Sequence, residues 1–243
     1  MPLPMVASQM KREFTLTSID RHTATVMVFT MKPKKQEVIN FKPGMFVTLT
    51  FEHDGKKYGP KPYSVSSSPL VKNEIELTIR KEGVFTQAFF KLEKGATINV
   101  QGPYGKFVLH EPIAPHMMLI AGGTGIAPMM SMLRHILDTG VKTHVTLLFS
   151  CKTDHDIIFK NELLHRADKF DNFSYVQTLT QEPADSSWQG HRARINETMI
   201  KEHIRTKEAQ YYICGPNDFV TSVEEALDEL EVPTDRIHKE KWG

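Results

Sequence analysis

The apolar residues of this chain keep one period as far as about residue 110 and another beyond it, and no single sheet or helical bundle satisfies both. In the first part "EFTLTSID", "TATVMVFTM", "MFVTLTF", "EIELTIR" and "ATINVQG" alternate or are β-branched, and Pro, Gly, Asn and Lys clusters separate them. Short strands at this spacing predict a barrel or sandwich. One segment differs: "VFTQAFFKLEKG" sets Phe85, Ala88, Phe89 and Leu92 at helical spacing, ahead of a glycine suited to stop a helix. Beyond Pro112 to Pro115 the texture becomes strand, turn, helix: "MMLIA", "GGTGIAP" and "MMSMLRHIL", then "HVTLLFS" with the amphipathic "DIIFKNELLHRA". Further units follow in "FSYVQTLT", "RINETMIKEHI" and "QYYICG" with "NDFVTSVEEALDEL". Such alternation predicts a parallel sheet with helices on both faces, so the expected organisation is a β domain over residues 1–111 and an α/β domain over 112–243.

With 243 residues, 40% of them hydrophobic, the chain is long enough to bury two cores. Thirty basic against 29 acidic residues produce no net field, and no basic block alternates with aromatics, so a nucleic-acid partner is not expected. The apolar runs "MMLIA" and "VTLLF" fall far short of the ~20 residues that span a bilayer. "MPLPMVASQM" lacks the apolar core of a secretion signal, and a cytoplasmic protein without a membrane span is expected. Two cysteines, Cys151 and Cys214, with no Cys-x-x-Cys spacing, exclude a disulfide framework or an iron–sulfur cluster held by this chain alone. The 11 histidines form no zinc-hydrolase pair, and no metal centre is expected.

In "AGGTGIAPMMSML" a strand ends, glycines make a tight turn, and Pro128 falls in the first turn of a helix, where its missing N–H costs little. Bare backbone and a helix N-terminus suit an anion such as a pyrophosphate. The motif is neither the dinucleotide fingerprint nor a P-loop, and a plain strand-to-helix turn is the alternative. Its place in the first βα unit favours a ligand, because ligands collect outside the carboxyl ends of parallel strands. "YYICGPNDF" ends another strand on that side, which would put the Cys214 thiol in the same crevice or bury it as a small hydrophobe. Far upstream, "GPKPYSVSSSPL" carries Tyr63 and a row of hydroxyls on a backbone that its prolines hold extended.

The order "KPYSVSSSP", "RKEGVFT", "GPYGKF", "GGTGIAP", "CGPNDF" and terminal "EKWG" resembles the ferredoxin–NADP reductase superfamily, from "FKPGMFVTLTF" to Gly243. The resemblance implies an N-terminal antiparallel β-barrel that binds FAD and a C-terminal Rossmann-like parallel sheet that binds NAD(P)H. It places Lys61, Pro62, Tyr63 and Ser64 on the flavin, with Tyr63 against the isoalloxazine ring and Ser64 directed to flavin N5. Lys61 stands where the family has arginine and can neutralise a phosphate only as a point charge. Thr78, Ile79 and Arg80, followed by Gly83, Val84, Phe85 and Thr86, form the second flavin segment, in which Thr86 and backbone N–H groups would cap both a helix and a pyrophosphate. Gly122, Gly123, Thr124, Gly125 and Pro128 would take the NAD(P) pyrophosphate, with Cys214, Gly215 and Pro216 beside the nicotinamide. "GPYGKF" would lie near the domain junction, with Gly102, Pro103 and Gly105 shaping a turn. Trp242 would cover the nicotinamide-facing side of the flavin, with Glu240 close behind; Ser64, Cys214, Glu240 and Trp242 are the catalytic candidates.

The activity so implied is FAD-dependent oxidation of NAD(P)H, with electrons passed to a separate acceptor protein such as a ferredoxin, a cytochrome or an oxygenase component. A free-standing NADH-dependent flavin or quinone reductase and a non-catalytic electron-relay or regulatory subunit are the alternatives. Phosphate-selective relatives carry arginines where this chain has "SCKTDHD" and "LTQEPAD", with Lys152 the one cation close by, so NADH is favoured over NADPH.

Overall fold

The computed structural model describes residues 11–206 and 208–242; the segment "MPLPMVASQM" and Gly243 of the terminal motif lie outside the described residues. The first sheet has six strands: β1 (Arg12–Arg21), β2 (Val26–Pro33), β3 (Phe46–His53), β4 (Lys56–Ser64), β5 (Ile75–Arg80) and, after helix α1 (Gly83–Phe89), β6 (Thr97–Tyr104). All neighbours pair antiparallel in the order β4-β3-β6-β1-β2-β5. The two outer strands meet where Val65, just past β4, bridges Leu77 of β5, and Ser66 N–H donates to Glu76 O at 2.8 Å. The curled sheet is thereby drawn shut into a barrel, as the alternating pattern predicts.

Alternation puts Phe14, Leu16, Leu49, Phe51, Leu77 and Ile98 inside at no exposure, each contributing about 1.5–3 kcal/mol of burial. Helix α1 adds Phe85, Ala88 and Phe89 to that core. It is shorter than its sequence pattern suggests, because Phe90 caps it, and Leu92 reaches the core from the turn beyond. Gly95, with φ of +95°, serves the turn into β6 rather than the helix stop. Gly102 and Pro103 belong to β6 itself, so the turn in "GPYGKF" starts at Gly105.

The second sheet is wholly parallel: β7 (His116–Gly122), β8 (His144–Cys151), β9 (Phe173–Leu179), β10 (Gln210–Pro216) and β11 (Ile237–Trp242), in the order β11-β10-β7-β8-β9. Helices α2 (Ile126–Thr139), α3 (Lys160–Lys169), α4 (Glu197–Lys201) and α5 (Asn217–Glu229) cover its two faces in separate cores. Because later strands are added on both sides of β7, the order reverses between β7 and β10, and a crevice opens beyond their carboxyl ends. Helix α2 is apolar nearly all round because it is buried on two sides. Its Met129, Met132 and Leu133 share one core with Val26 and Val28 of the barrel and with Phe107 and Leu109 of the connecting segment.

Two strands were not evident in the pattern, β4 and β11. A third difference is the start of α3: Ile157, Ile158 and Phe159 are buried in non-helical backbone, Phe159 has φ of +59°, and the helix begins only at Lys160. Among the described residues no helix is long and apolar enough to cross a membrane.

Candidate functional site

A cleft of about 540 Å³ runs along the seam between barrel and parallel sheet. Pockets of roughly 300–1,000 Å³ hold most small-molecule ligands and cofactors. From the barrel come Lys61, Pro62, Tyr63 and Ser64 on β4, Thr78 and Arg80 on β5, Phe46 on β3, and Glu82, Phe85 and Thr86 around the start of α1. From the other side come Thr124, Ala127 and Pro128 at the head of α2, and Glu240, Lys241 and Trp242 on β11.

The barrel wall depends on strand register. Val47 pairs with Tyr63 and Phe46 with Ser64 across β3 and β4, and Tyr63 stacks on Phe85 of α1 with ring centroids 5.8 Å apart. Burial pushes the Tyr63 phenol well above its ordinary pKa, so the ring acts as a neutral aromatic surface. On β5, Thr78 and Arg80 line the cleft, whereas Ile79 points the other way into the barrel core at no exposure. Its side chain is thus removed from the candidate set by the period of the strand.

Helix α1 departs from its expected role. Its seven residues carry no side-chain N-cap, and the Thr86 hydroxyl is engaged with the backbone oxygen of Glu82. Thr86 therefore ties the helix to its own entry while still lining the cleft. Val84 is 74% exposed and, like Gly83, lies outside the cleft lining.

On the sheet side the glycines do different things. At Gly122 and Gly215 an added Cβ would fall on the Phe219 ring of α5, at 2.9 and 2.4 Å, so these two make room for the packing of that ring. At Gly125 a Cβ would lie 2.1 Å from the Cys214 carbonyl oxygen and 2.9 Å from the Trp242 ring, a position that only glycine fits. Gly123 has φ of +54°, and a Cβ added on its open side would lie 3.0 Å from Arg80 Nη2. A barrel cation thus sits against the turn that starts α2.

Parallel pairing of β10 and β11 sets Cys214 opposite Glu240 and Pro216 opposite Trp242. The Glu240 carboxylate lies 3.4 Å from the Ser64 hydroxyl, across the seam, and 4.0 Å from the Cys214 sulfur. Burial raises the Glu240 pKa against the opposing pull of the Ser64 hydrogen bond. Burial, and then the Glu240 charge, raises the Cys214 thiol well above its usual range, and at 1% exposure it stays a protonated, covered group. The four catalytic candidates therefore do converge. Phe46, Glu82, Ala127 and Lys241 also line the cleft and were missed; Phe46 was signalled by its register with Ser64, and Lys241 by its place between two named residues.

The three serines that follow in "GPKPYSVSSSPL" do not line the cleft. Ser66, Ser67 and Ser68 are buried at 0–6%, and Ser66 and Ser67 bond Glu76 on β5 while their carbonyls accept from α2. The row of hydroxyls after Ser64 is a structural joint.

An aromatic face at Tyr63, two cations at Lys61 and Arg80, and a polar pair at Ser64 and Glu240 match what a planar, phosphate-bearing cofactor requires. The α2 head offers bare backbone to a second phosphate group. Among the described residues no cluster of His, Cys, Asp and Glu suits a metal ion.

Residues 13–109 match the family described as Oxidoreductase FAD-binding domain, and residues 119–225 the one described as Oxidoreductase NAD-binding domain. A glycine betaine monooxygenase reductase subunit of Pseudomonas aeruginosa is 31% identical over 228 residues, which take in 92% of this chain and 62% of the relative. The chain thus spans about three fifths of the length of the curated relatives it first matches. The FAD/NAD-binding domain of nitric oxide dioxygenase from Vibrio cholerae superposes with a TM-score of 0.84 at 25% identity, covering 96% of this chain and 98% of that one. A ferredoxin NADP+ reductase from Neisseria gonorrhoeae, solved with FAD and NADP, shares the fold at a TM-score of 0.77 and 20% identity, over 95% and 98% of the two chains.

Proposed function

The chain belongs to the ferredoxin–NADP reductase superfamily, with its FAD-binding and NAD-binding domains in that order, and on this premise we propose that it is an FAD-dependent NAD(P)H oxidoreductase serving a separate redox partner. The observation that carries the reading is the convergence of the Tyr63–Ser64 wall and the α2 head on one cleft, which Trp242 also lines. Bound FAD supplies a hydride acceptor that can afterwards release electrons singly; the chain supplies alignment, charge and dryness.

Tyr63 supports one ring face, and its own packing on Phe85 holds its plane. Lys61 and Arg80 balance phosphate charge, the first as a point charge and the second as a guanidinium close to Gly123. The Gly123–Gly125 turn and the head of α2 receive the nucleotide pyrophosphate on backbone N–H groups. Trp242 covers the opposite side of the cleft at 38% exposure and yields its place to the nicotinamide. Ser64 and Glu240 span the seam and present a hydrogen-bonding pair at the reacting edge.

NADH is the preferred donor in this reading. After β8 and β9 the loops carry Asp154, whose N–H donates to Glu182 at 2.8 Å and whose carboxylate pairs with Lys160 at 2.6 Å. With Glu182 held at this edge and Lys160 engaged by Asp154, these residues turn no guanidinium fork to the additional phosphate of NADPH. A separate acceptor protein is supported by the reductase-subunit relatives, which are themselves parts of multi-component systems by name.

The test is an absorption spectrum of protein loaded with FAD, then anaerobic titration with NADH and with NADPH. Retained yellow colour, bleached at lower NADH than NADPH, is expected. Protein that stays colourless after loading would remove the proposal.

A further inference from the structure

The joint between barrel and parallel sheet is polar, and it is built from the segments that also wall the cleft. Beyond Tyr63 and Ser64 the chain passes through Val65 to Ser66 and Ser67, both buried. The Ser67 carbonyl accepts the Ser131 hydroxyl at 2.7 Å, and the Ser66 carbonyl accepts Arg134 Nη1 at 2.9 Å. Ser131 and Arg134 lie on α2, whose head provides Ala127 and Pro128 to the opposite wall. Along a helix the six residue steps from Pro128 to Arg134 span only about 9 Å, so a tilt at one end is felt at the other.

Arg134 is aimed with little freedom. Its Nε and Nη2 donate to the two oxygens of Glu162 at 2.8 and 2.5 Å, and its guanidinium lies 5.0 Å from the Phe159 ring. That fork and ring fix the guanidinium plane and turn Nη1 toward the barrel, where it bonds Glu76 at 2.6 Å as well as Ser66. The side chain is 12% exposed. Buried ion pairs add little net stability compared with apolar packing, while a forked guanidinium imposes direction. A second contact follows the same route, since His22 in the β1–β2 turn accepts the Phe159 N–H at 3.1 Å.

We propose that Arg134, assisted by Ser131, is a positioning residue: it sets the gap between the Tyr63–Ser64 wall and the head of α2, and through it the approach of the two rings that react in the cleft. The proposal rests on the oxidoreductase reading above. Hydride transfer requires reacting atoms within about 3–3.5 Å, and a displacement near 1 Å costs about 10²-fold in rate. Lysine, a single point charge, cannot hold Glu162 as a fork and bond the barrel together.

The experiment uses FAD-loaded protein and four variants: Arg134→Gln, Arg134→Lys, Ser131→Ala and Arg166→Gln. Arg166 belongs to the same ionic network, but its partners Asp138 and Glu162 both lie on the parallel-sheet side. Measured are the bound-flavin spectrum, the dissociation constant for NAD+, and the single-turnover reduction rate with NADH. The expected result is a fall of about 10²-fold in the reduction rate of Arg134→Gln, with spectrum and NAD+ affinity near wild type. Arg134→Lys should recover part of the rate, Ser131→Ala should lose less than Arg134→Gln, and Arg166→Gln should lose least, because Arg134 still forks Glu162 and bonds the barrel. A wild-type rate in folded Arg134→Gln overturns the proposal, as does a rate that falls only in step with lost flavin and NAD+ binding. Should Arg134→Gln not fold, Ser131→Ala decides, and an unchanged rate there overturns it. A wild-type chain that takes up FAD but is reduced by neither nucleotide sinks the oxidoreductase reading and the positioning role with it, whereas failure of the role alone leaves wild type active.

Discussion

On the barrel side the cleft is lined by side chains, Lys61, Tyr63, Ser64, Thr78 and Arg80, carried on paired strands; on the sheet side a turn at Gly123 and Gly125 keeps side chains out and offers backbone. A wall of side chains can be shaped to one group in detail and suits a resident cofactor. A wall of backbone N–H groups meets a phosphate by charge and direction alone, which suits a partner that arrives and leaves each cycle. The difference also fixes how each can be damaged: the barrel wall is broken by removing atoms, the sheet wall by adding them.

Gly125→Val tests the second half of that statement and carries the largest expected effect. The new Cβ meets the Cys214 carbonyl and the Trp242 ring, and overpacking should cost about 3 kcal/mol or more in stability. Nucleotide-dependent bleaching should vanish even in the fraction that stays folded and yellow, as read by anaerobic titration. Tyr63→Ala tests the first half. Loss of its buried face should weaken FAD by about 1.5–3 kcal/mol, or roughly tenfold to a hundredfold in dissociation constant, while NAD+ affinity of reloaded protein holds.

Trp242→Ala probes the aromatic side chain that the sheet side presents. Removing a competitor for the cleft should tighten NAD+ severalfold; unchanged affinity and an unchanged flavin spectrum would show that the ring is mere packing. The smallest effect is expected at Glu240, which reaches from the sheet wall to Ser64. Burial raises its folded-state pKa above the ordinary 4.5, so the folded chain binds more protons than the unfolded one in the window above that value. The stability it contributes is complete below pH 4.5 and falls as pH rises through the folded value. Glu240→Gln lacks that decline, so its melting temperature should gain on wild type from acid to neutral pH.

The change of period between the halves and the glycine turn were legible because burial imposes them: β5 and β7 must place apolar groups inward, and the head of α2 must leave room for Cys214. Strand β4 was not, since "KKYGPKPYS" is mostly exposed, holds two prolines and owes its extension to pairing with β3. Strand β11 has the same history; "IHKEKW" pairs along β10 at a sheet edge and carries charges outward. The start of α3 was misread because Ile157 and Ile158 fit a helical stripe as well as the buried loop they occupy. The role of Ser66 to Ser68 was not legible because hydroxyls look alike in sequence whether they meet a ligand or a neighbouring strand. Arg134 did leave a trace: a guanidinium inside "MMSMLRHIL", otherwise mostly apolar, needs buried acceptors, and only the fold names them as Glu76 and Glu162.

The barrel is drawn shut at Val65 and Leu77, immediately after the residues proposed to hold FAD. A seam fastened at so few points is the place where amide exchange should begin, and a tightly held guest lying across it acts as a clasp. At a free FAD concentration a hundredfold above its dissociation constant that clasp is worth about 2.7 kcal/mol. Protein emptied of FAD should therefore open first along β4, with the parallel sheet still closed behind it.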